Sequence, residues 1–145
     1  VFGADHGTAR VPVEPEGMAM MGTLAVAAGG AAGSVLRYWG TLAAARLGWA
    51  EFPWATIAIN VLGSFVIGWF ATATLPGAAH PASHEMRLLV MTGLCGGFTT
   101  FSAFSLQTLD LLRAGAFTAA AANVLLSVLL CLAATAAGHW LAATA

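Results

Sequence analysis

The chain has 145 residues, of which 59% are hydrophobic and 8% charged, and its formal net charge is −1. Soluble domains carry charge on about a quarter of their residues, so this chain has too few charges to cover a water-facing surface and reads as an integral membrane protein. Five arginines, no lysine and near-neutral charge give no electrostatic footprint for nucleic acid.

Residues 1–17 hold Asp5, His6, Arg10, Pro12, Glu14, Pro15 and Glu16 without apolar periodicity, a composition that cannot bury a core. A disordered tail is expected over 1–19, ahead of a single four-helix transmembrane domain over 20–143. Met18, Met20 and Met21 follow at once, so the tail reads as an upstream extension of the reading frame. It lacks the basic n-region of a signal peptide.

The first span is expected from Met20 to Tyr38, uncharged between Gly17 and Leu36 and near the roughly 20 residues a bilayer requires. Arg37, Tyr38 and Trp39 close it at the interface. The stretch to Leu47 either lies along the interface or extends the helix. The second span starts behind Pro53, a favoured helix-start residue, and runs to Leu75, where Pro76-Gly77 ends it. Asn60 lies within it, with Gly63 and Ser64 on the same face. The third span runs from Arg87 to Leu112 and is interrupted near Gly96–Thr100, where glycines, threonines and serines crowd together. The fourth runs from Ala116 to Leu141. The fold class is therefore an all-α membrane protein with four transmembrane helices, the third broken at its centre.

Glycines 29, 30 and 33 on span 1, and 63 and 68 on span 2, have two readings. They pack helices within the chain, or they favour association into a homodimer. Arginines set orientation, and here they nearly balance: Arg10 and Arg87 on one side, Arg46 and Arg113, with Arg37, on the other. Insertion in both orientations, with two opposed copies pairing about an axis in the membrane plane, is the expectation.

Cys95 and Cys131 lie in apolar segments and read as small buried hydrophobes. His6, His80, His84 and His139 have no zinc-site spacing. No carboxylate lies deep in any predicted span, which argues against a proton- or cation-coupled exporter and against acid–base catalysis. Asn60 reads either as interhelical glue or as a pore-lining donor. Arg37 either snorkels, binds backbone carbonyls, or gives an anion a favourable potential at a vestibule. At the interrupted third span, freed carbonyls suit a hard cation. Thr99, Thr100, Ser102 and Ser105 offer hydroxyls. Phe101 and Phe104 are three apart, and a phenyl edge is electropositive. These residues point to an ion pathway.

The motif Gly93-x-x-Gly96-Gly97-Phe98-Thr99-Thr100-Phe101-Ser102-Ala103-Phe104-Ser105 resembles the signature of the Fluc/CrcB fluoride channels. So do Asn60-x-x-Gly63-Ser64-Phe65 in span 2 and Gly29-Gly30-x-x-Gly33-x-x-x-Arg37-Tyr38 in span 1. The resemblance covers about Thr23 to Leu141. It implies a fluoride-selective channel of the bacterial inner (plasma) membrane, not an enzyme, that exports fluoride passively and relieves its toxicity. It also implies an antiparallel dual-topology homodimer with two pores. By resemblance, Asn60 lines the pore and Phe101 and Phe104 form an aromatic box. Ser102, Ser105, Thr108 and Ser127 supply hydroxyls along the track, and Arg37 matches the basic residue of span 1. A structural sodium ion on the dimer axis is implied, held by backbone carbonyls of Gly97 and Thr100 from both copies. The chain departs from the family pattern at Ala103, where Ser or Thr is frequent, at Gln107, where Glu is common, and at Asn123, where Tyr often stands. A small four-span multidrug or cation exporter and a non-transporting scaffold subunit are the rival readings.

Overall fold

The computed structural model describes residues 16–49, 51–78 and 80–144, and among these every regular element is helical. Helix α1 spans Glu16–Arg46, 31 residues, about 46 Å at 1.5 Å per residue. It outruns the hydrocarbon layer, so the stretch beyond Tyr38 extends the helix. The disordered tail expected over 1–19 falls on residues 1–15, outside the described residues, and on Glu16–Ala19, which are the first turn of α1. At its other end, Gly48 adopts φ 78°. The Gly48 N–H donates to the Ala45 carbonyl and the Trp49 N–H to the Ala44 carbonyl, both at 3.1 Å. This paired return satisfies the last carbonyls and needs a residue tolerant of positive φ.

Helix α2, Trp54–Ala73, starts behind Pro53 and ends one turn before Pro76-Gly77. Thr74 closes it by donating its hydroxyl to the Phe70 carbonyl at 2.6 Å. Arg87 donates to the carbonyls of Ala71 and Thr74 at 3.3 Å and to the Thr74 hydroxyl at 2.8 Å. A cation is thus set against the negative end of α2, where helix-dipole electrostatics favour it.

The third span is composite. Helix α3, His84–Arg87, is capped by Ser83, whose hydroxyl accepts the Met86 N–H at 3.2 Å. A π-helix, Leu88–Cys95, follows, longer than the usual single-turn bulge. Then come α4, Gly96–Phe98, and α5, Phe101–Arg113, with Thr99 and Thr100 between them in extended conformation. Gly115, at φ 73°, turns the chain into α6, Phe117–Ala143. Four segments are long and apolar enough to cross a membrane: Gly17–Arg46, Trp54–Ala73, His84–Arg113 and Phe117–Ala143.

The helices pack as two pairs, α2 along α6 and α1 along the π-helix and α4. Glycines permit both. A Cβ at Gly29 or Gly33 would overlap the carbonyl oxygens of Leu89 or Leu94, and one at Gly68 or Gly138 those of Thr135 or Phe65. These glycines are used within the chain, where close backbone approach replaces the hydrophobic effect that lipid cannot supply. The two pairs join where Gly63 receives the Thr99 side chain. Large apolar side chains on all four spans remain exposed on the outer surface, as a lipid-facing surface requires.

Candidate functional site

Thr99 has φ −81° and ψ 158°, and Thr100 φ −151° and ψ 108°, so the helical ladder lapses there. In a continuous helix the Thr100 N–H would reach the Gly96 carbonyl. It donates instead to Asn60 Oδ1 at 2.8 Å, and Asn60 Nδ2 donates back to the Thr100 carbonyl at 3.2 Å. One amide from α2 thus satisfies both backbone groups of the residue at the interruption, which buried in hydrocarbon would otherwise be costly. Thr100 also caps α5, its hydroxyl accepting the Ala103 N–H at 3.1 Å. Thr99 is tied backwards, its N–H and hydroxyl both donating to the Cys95 carbonyl at 2.9 Å. No backbone hydrogen bond crosses from α5 to α4 among the described residues. The carbonyls of Gly96, Gly97, Phe98 and Thr99 are therefore released from the ladder, whereas that of Thr100 holds the Asn60 amide.

A groove of about 430 Å³ opens beside the interruption. Asn60 and Ser64 of α2 line one side, Thr99, Thr100, Phe101 and Phe104 another, and Ser127 and Cys131 of α6 a third. No charged residue lines it. The rings of Phe101 and Phe104 lie 5.2 Å apart, tilted by 45°, and Phe101 is 78% exposed. An amide carries two N–H donors. The Thr100 carbonyl takes one from Asn60, and the other has no acceptor among the described residues.

The hydroxyls are less free. Ser105 donates to the Phe101 carbonyl at 2.9 Å and Thr108 to the Phe104 carbonyl at 2.8 Å. Asn123, fully buried at 0% exposure, donates to Thr108 Oγ1 at 2.9 Å. Ser127 donates to Asn123 Oδ1 over a long 3.5 Å. The run from Ser127 through Asn123 and Thr108 to the Phe104 carbonyl is a chain of donors aimed in one direction, from the groove wall into the α5–α6 contact.

Comparison with known proteins bears on this arrangement. The profile of the family described as "CrcB-like protein, Camphor Resistance (CrcB)" matches residues 24–139, all four spans. The chain belongs to the CrcB family. Among its relatives, a protein of Gluconobacter oxydans (strain 621H) named fluoride-specific ion channel FluC is 55% identical over 117 residues, 80% of this chain and 81% of that one. Proteins of the same name from Methylobacterium radiotolerans and Rhodospirillum rubrum are each 53% identical, over 79% and 80% of this chain and 80% and 90% of theirs. With four membrane-length helices, this CrcB protein is a multi-pass membrane protein.

The structure gathers Asn60, Thr100, Phe101, Phe104 and Ser127 around the groove. Ser102 and Ser105 are exposed on α5 outside its lining, the Ser102 hydroxyl 3.2 Å from Thr100 Oγ1. Thr108 lies behind the groove, bonded to Asn123. Gly97 packs against Gly30 of α1, with no room for a Cβ. Arg37 is half-buried on α1, outside the groove lining and without a salt bridge among the described residues. Cys95 is buried, Cys131 half-buried, and both are free thiols. Ser64 lines the groove, a residue placed on the Asn60 face from sequence but assigned no role in the pathway. Its position four residues after Asn60, on the same helical face, was the available signal. Among the described residues no cluster of His, Cys, Asp or Glu is able to hold a metal. The oxygen donors present are neutral carbonyls, which suit a hard monovalent cation rather than zinc.

Proposed function

We propose that this CrcB protein is a fluoride-selective channel that lets fluoride leave the bacterial cell passively across the plasma membrane and so relieves its toxicity. The observation that carries the reading is the groove at the interrupted span. There an unsatisfied amide hydrogen of Asn60, the rings of Phe101 and Phe104 and the N-terminal end of α5 converge with no fixed charge. Fluoride is small and strongly hydrated, so a pathway must replace water's donors. Neutral N–H and O–H groups, ring edges and the positive end of a helix do so without trapping the ion. The names of the relatives support the same ion. Asn60, Phe101, Phe104 and Ser127 form the pathway in this reading, with Ser102, Ser105 and Thr108 continuing it and Arg37 shaping a vestibule.

The working unit is an antiparallel dual-topology homodimer with two pores. Ser102 and Ser105 are exposed on the outer side of a membrane-spanning helix, where lipid solvates hydroxyls poorly, and with the exposed Phe101 they offer a contact for a second copy. A structural sodium ion shared between the two copies would be held by carbonyls of Gly97 and Thr100. The Thr100 carbonyl already accepts from Asn60, so the released carbonyls of Gly96 and Thr99 are the better candidates to complete the shell. The ion would supply positive potential and tie the two interrupted spans together.

The test is efflux from liposomes containing the purified protein, measured for fluoride and chloride side by side. Fluoride efflux with chloride retained is expected; equal fluxes reject the reading. No flux of either ion, together with a partner recovered on pull-down, would favour the scaffold reading.

A further inference from the structure

A second cleft is larger than the groove. About 600 Å³ opens where α1 gives way to α2, the level at which two membrane-spanning helices reach the headgroup layer. Its upper wall is aromatic: Trp49, Phe52 and Trp54. The rings of Phe52 and Trp54 stand 4.8 Å apart at 55°, tilted so that ring faces remain available. Trp49 is fixed by the paired hydrogen bonds that end α1 at Gly48. The polar group on the rim is the Glu51 carboxylate, exposed and without a cationic partner among the described residues. Below the rim the wall turns apolar along Ile57, Val61 and Leu130.

Tryptophans alone are ordinary membrane-interface anchors. That explains neither three rings converging on one cleft from a six-residue stretch nor an unpaired carboxylate beside them. We infer that this cleft binds an ethanolamine-headgroup phospholipid. Its ammonium sits against the aromatic faces by cation–π attraction. The same ammonium donates N–H bonds to Glu51, and an acyl chain follows the apolar wall. The charge pattern selects this occupant over a glycerol-headgroup anionic lipid, which offers Glu51 no cation. The site is separate from the groove and does not depend on which ion the groove passes.

Native mass spectrometry of the purified full chain, exposed to equimolar phosphatidylethanolamine and phosphatidylglycerol, tests it. The protein is expected to retain the ethanolamine lipid about tenfold over the glycerol lipid, and E51Q to lower that retention about fivefold. The E51Q change is at an exposed position outside the groove, so its fluoride efflux is expected to be unchanged. W54L should also weaken retention, and its thermal unfolding, measured alongside, separates lost binding from lost fold. Equal retention of both lipids, preference for phosphatidylglycerol, or wild-type retention by E51Q would overturn the inference.

Discussion

The two halves of the third span belong to one membrane crossing and are built on opposite principles. The first, Leu88–Phe98, is apolar and pressed against α1, with glycines on both sides letting backbone meet backbone. The second, Phe101–Arg113, buries none of its residues fully and presents Phe101, Ser102 and Ser105 outward. The first half settles its needs within one chain. The second keeps serine hydroxyls, which lipid solvates poorly, beside an exposed ring on its outer surface. Fold is made where side chains are absent, and chemistry is displayed where packing is incomplete. Asn60 stands at the boundary, bonded to both backbone groups of Thr100.

Five substitutions break or sharpen that contrast. Gly33→Val should do the most damage, because its side chain meets the Leu94 carbonyl and the Phe98 N–H rather than a movable side chain. A loss of about 3 kcal/mol or more is expected, read as collapse of the folded fraction in detergent by size exclusion and thermal unfolding. Asn60→Ala comes next. It strands the N–H and the carbonyl of Thr100, at about 1–3 kcal/mol for each buried group, and should reduce fluoride efflux about tenfold or more. Asn60→Asp keeps the acceptor for the Thr100 N–H and should recover stability better than flux; equal recovery of both would show that the second amide hydrogen has no part in conduction. Phe101→Ile tests the outward half alone. With most of the ring exposed, stability should move by no more than about 0.5 kcal/mol, while efflux should fall about tenfold. Unchanged efflux removes Phe101 from the pathway. Ser105→Ala should be mildest, with stability within about 0.5 kcal/mol and efflux within about twofold, both read in the same liposome assay.

Much of this was legible in the residues. Hydropathy and charge placed the last three spans to within a few residues, because lipid demands uninterrupted apolar length, but α1 runs eight residues past the expected end at Tyr38. Pro53 and Pro76-Gly77 marked the ends of α2, since proline and glycine act locally. The lapse at Thr99 and Thr100 was foreshadowed by glycines beside hydroxyls. The π-helix was not, because nothing in Leu88–Cys95 distinguishes five-residue from four-residue hydrogen bonding. The carbonyls of Leu89 and Leu94 lie against Gly29 and Gly33 of α1, a tertiary contact with no local sequence signature. Whether those glycines served packing within the chain was likewise open until the helices were paired. Asn60 could be selected as a polar group in hydrocarbon, but that it grips both backbone groups of a residue 40 positions away has no local signature.

The directions of the hydroxyl protons have a consequence for discrimination between halides. Ser105, Thr108 and Ser127 each point their hydrogen at a protein oxygen, leaving lone pairs, not protons, on their outer sides. An anion drawing on these groups must first make each side chain turn and give up a bond worth about 1 kcal/mol. A strong acceptor such as fluoride offsets that cost with a shorter bond, and a larger, weaker acceptor such as chloride does not. In the proposed pathway, Ser127 on the groove wall and Ser105 and Thr108 beyond it would set a threshold crossed by basicity rather than by size.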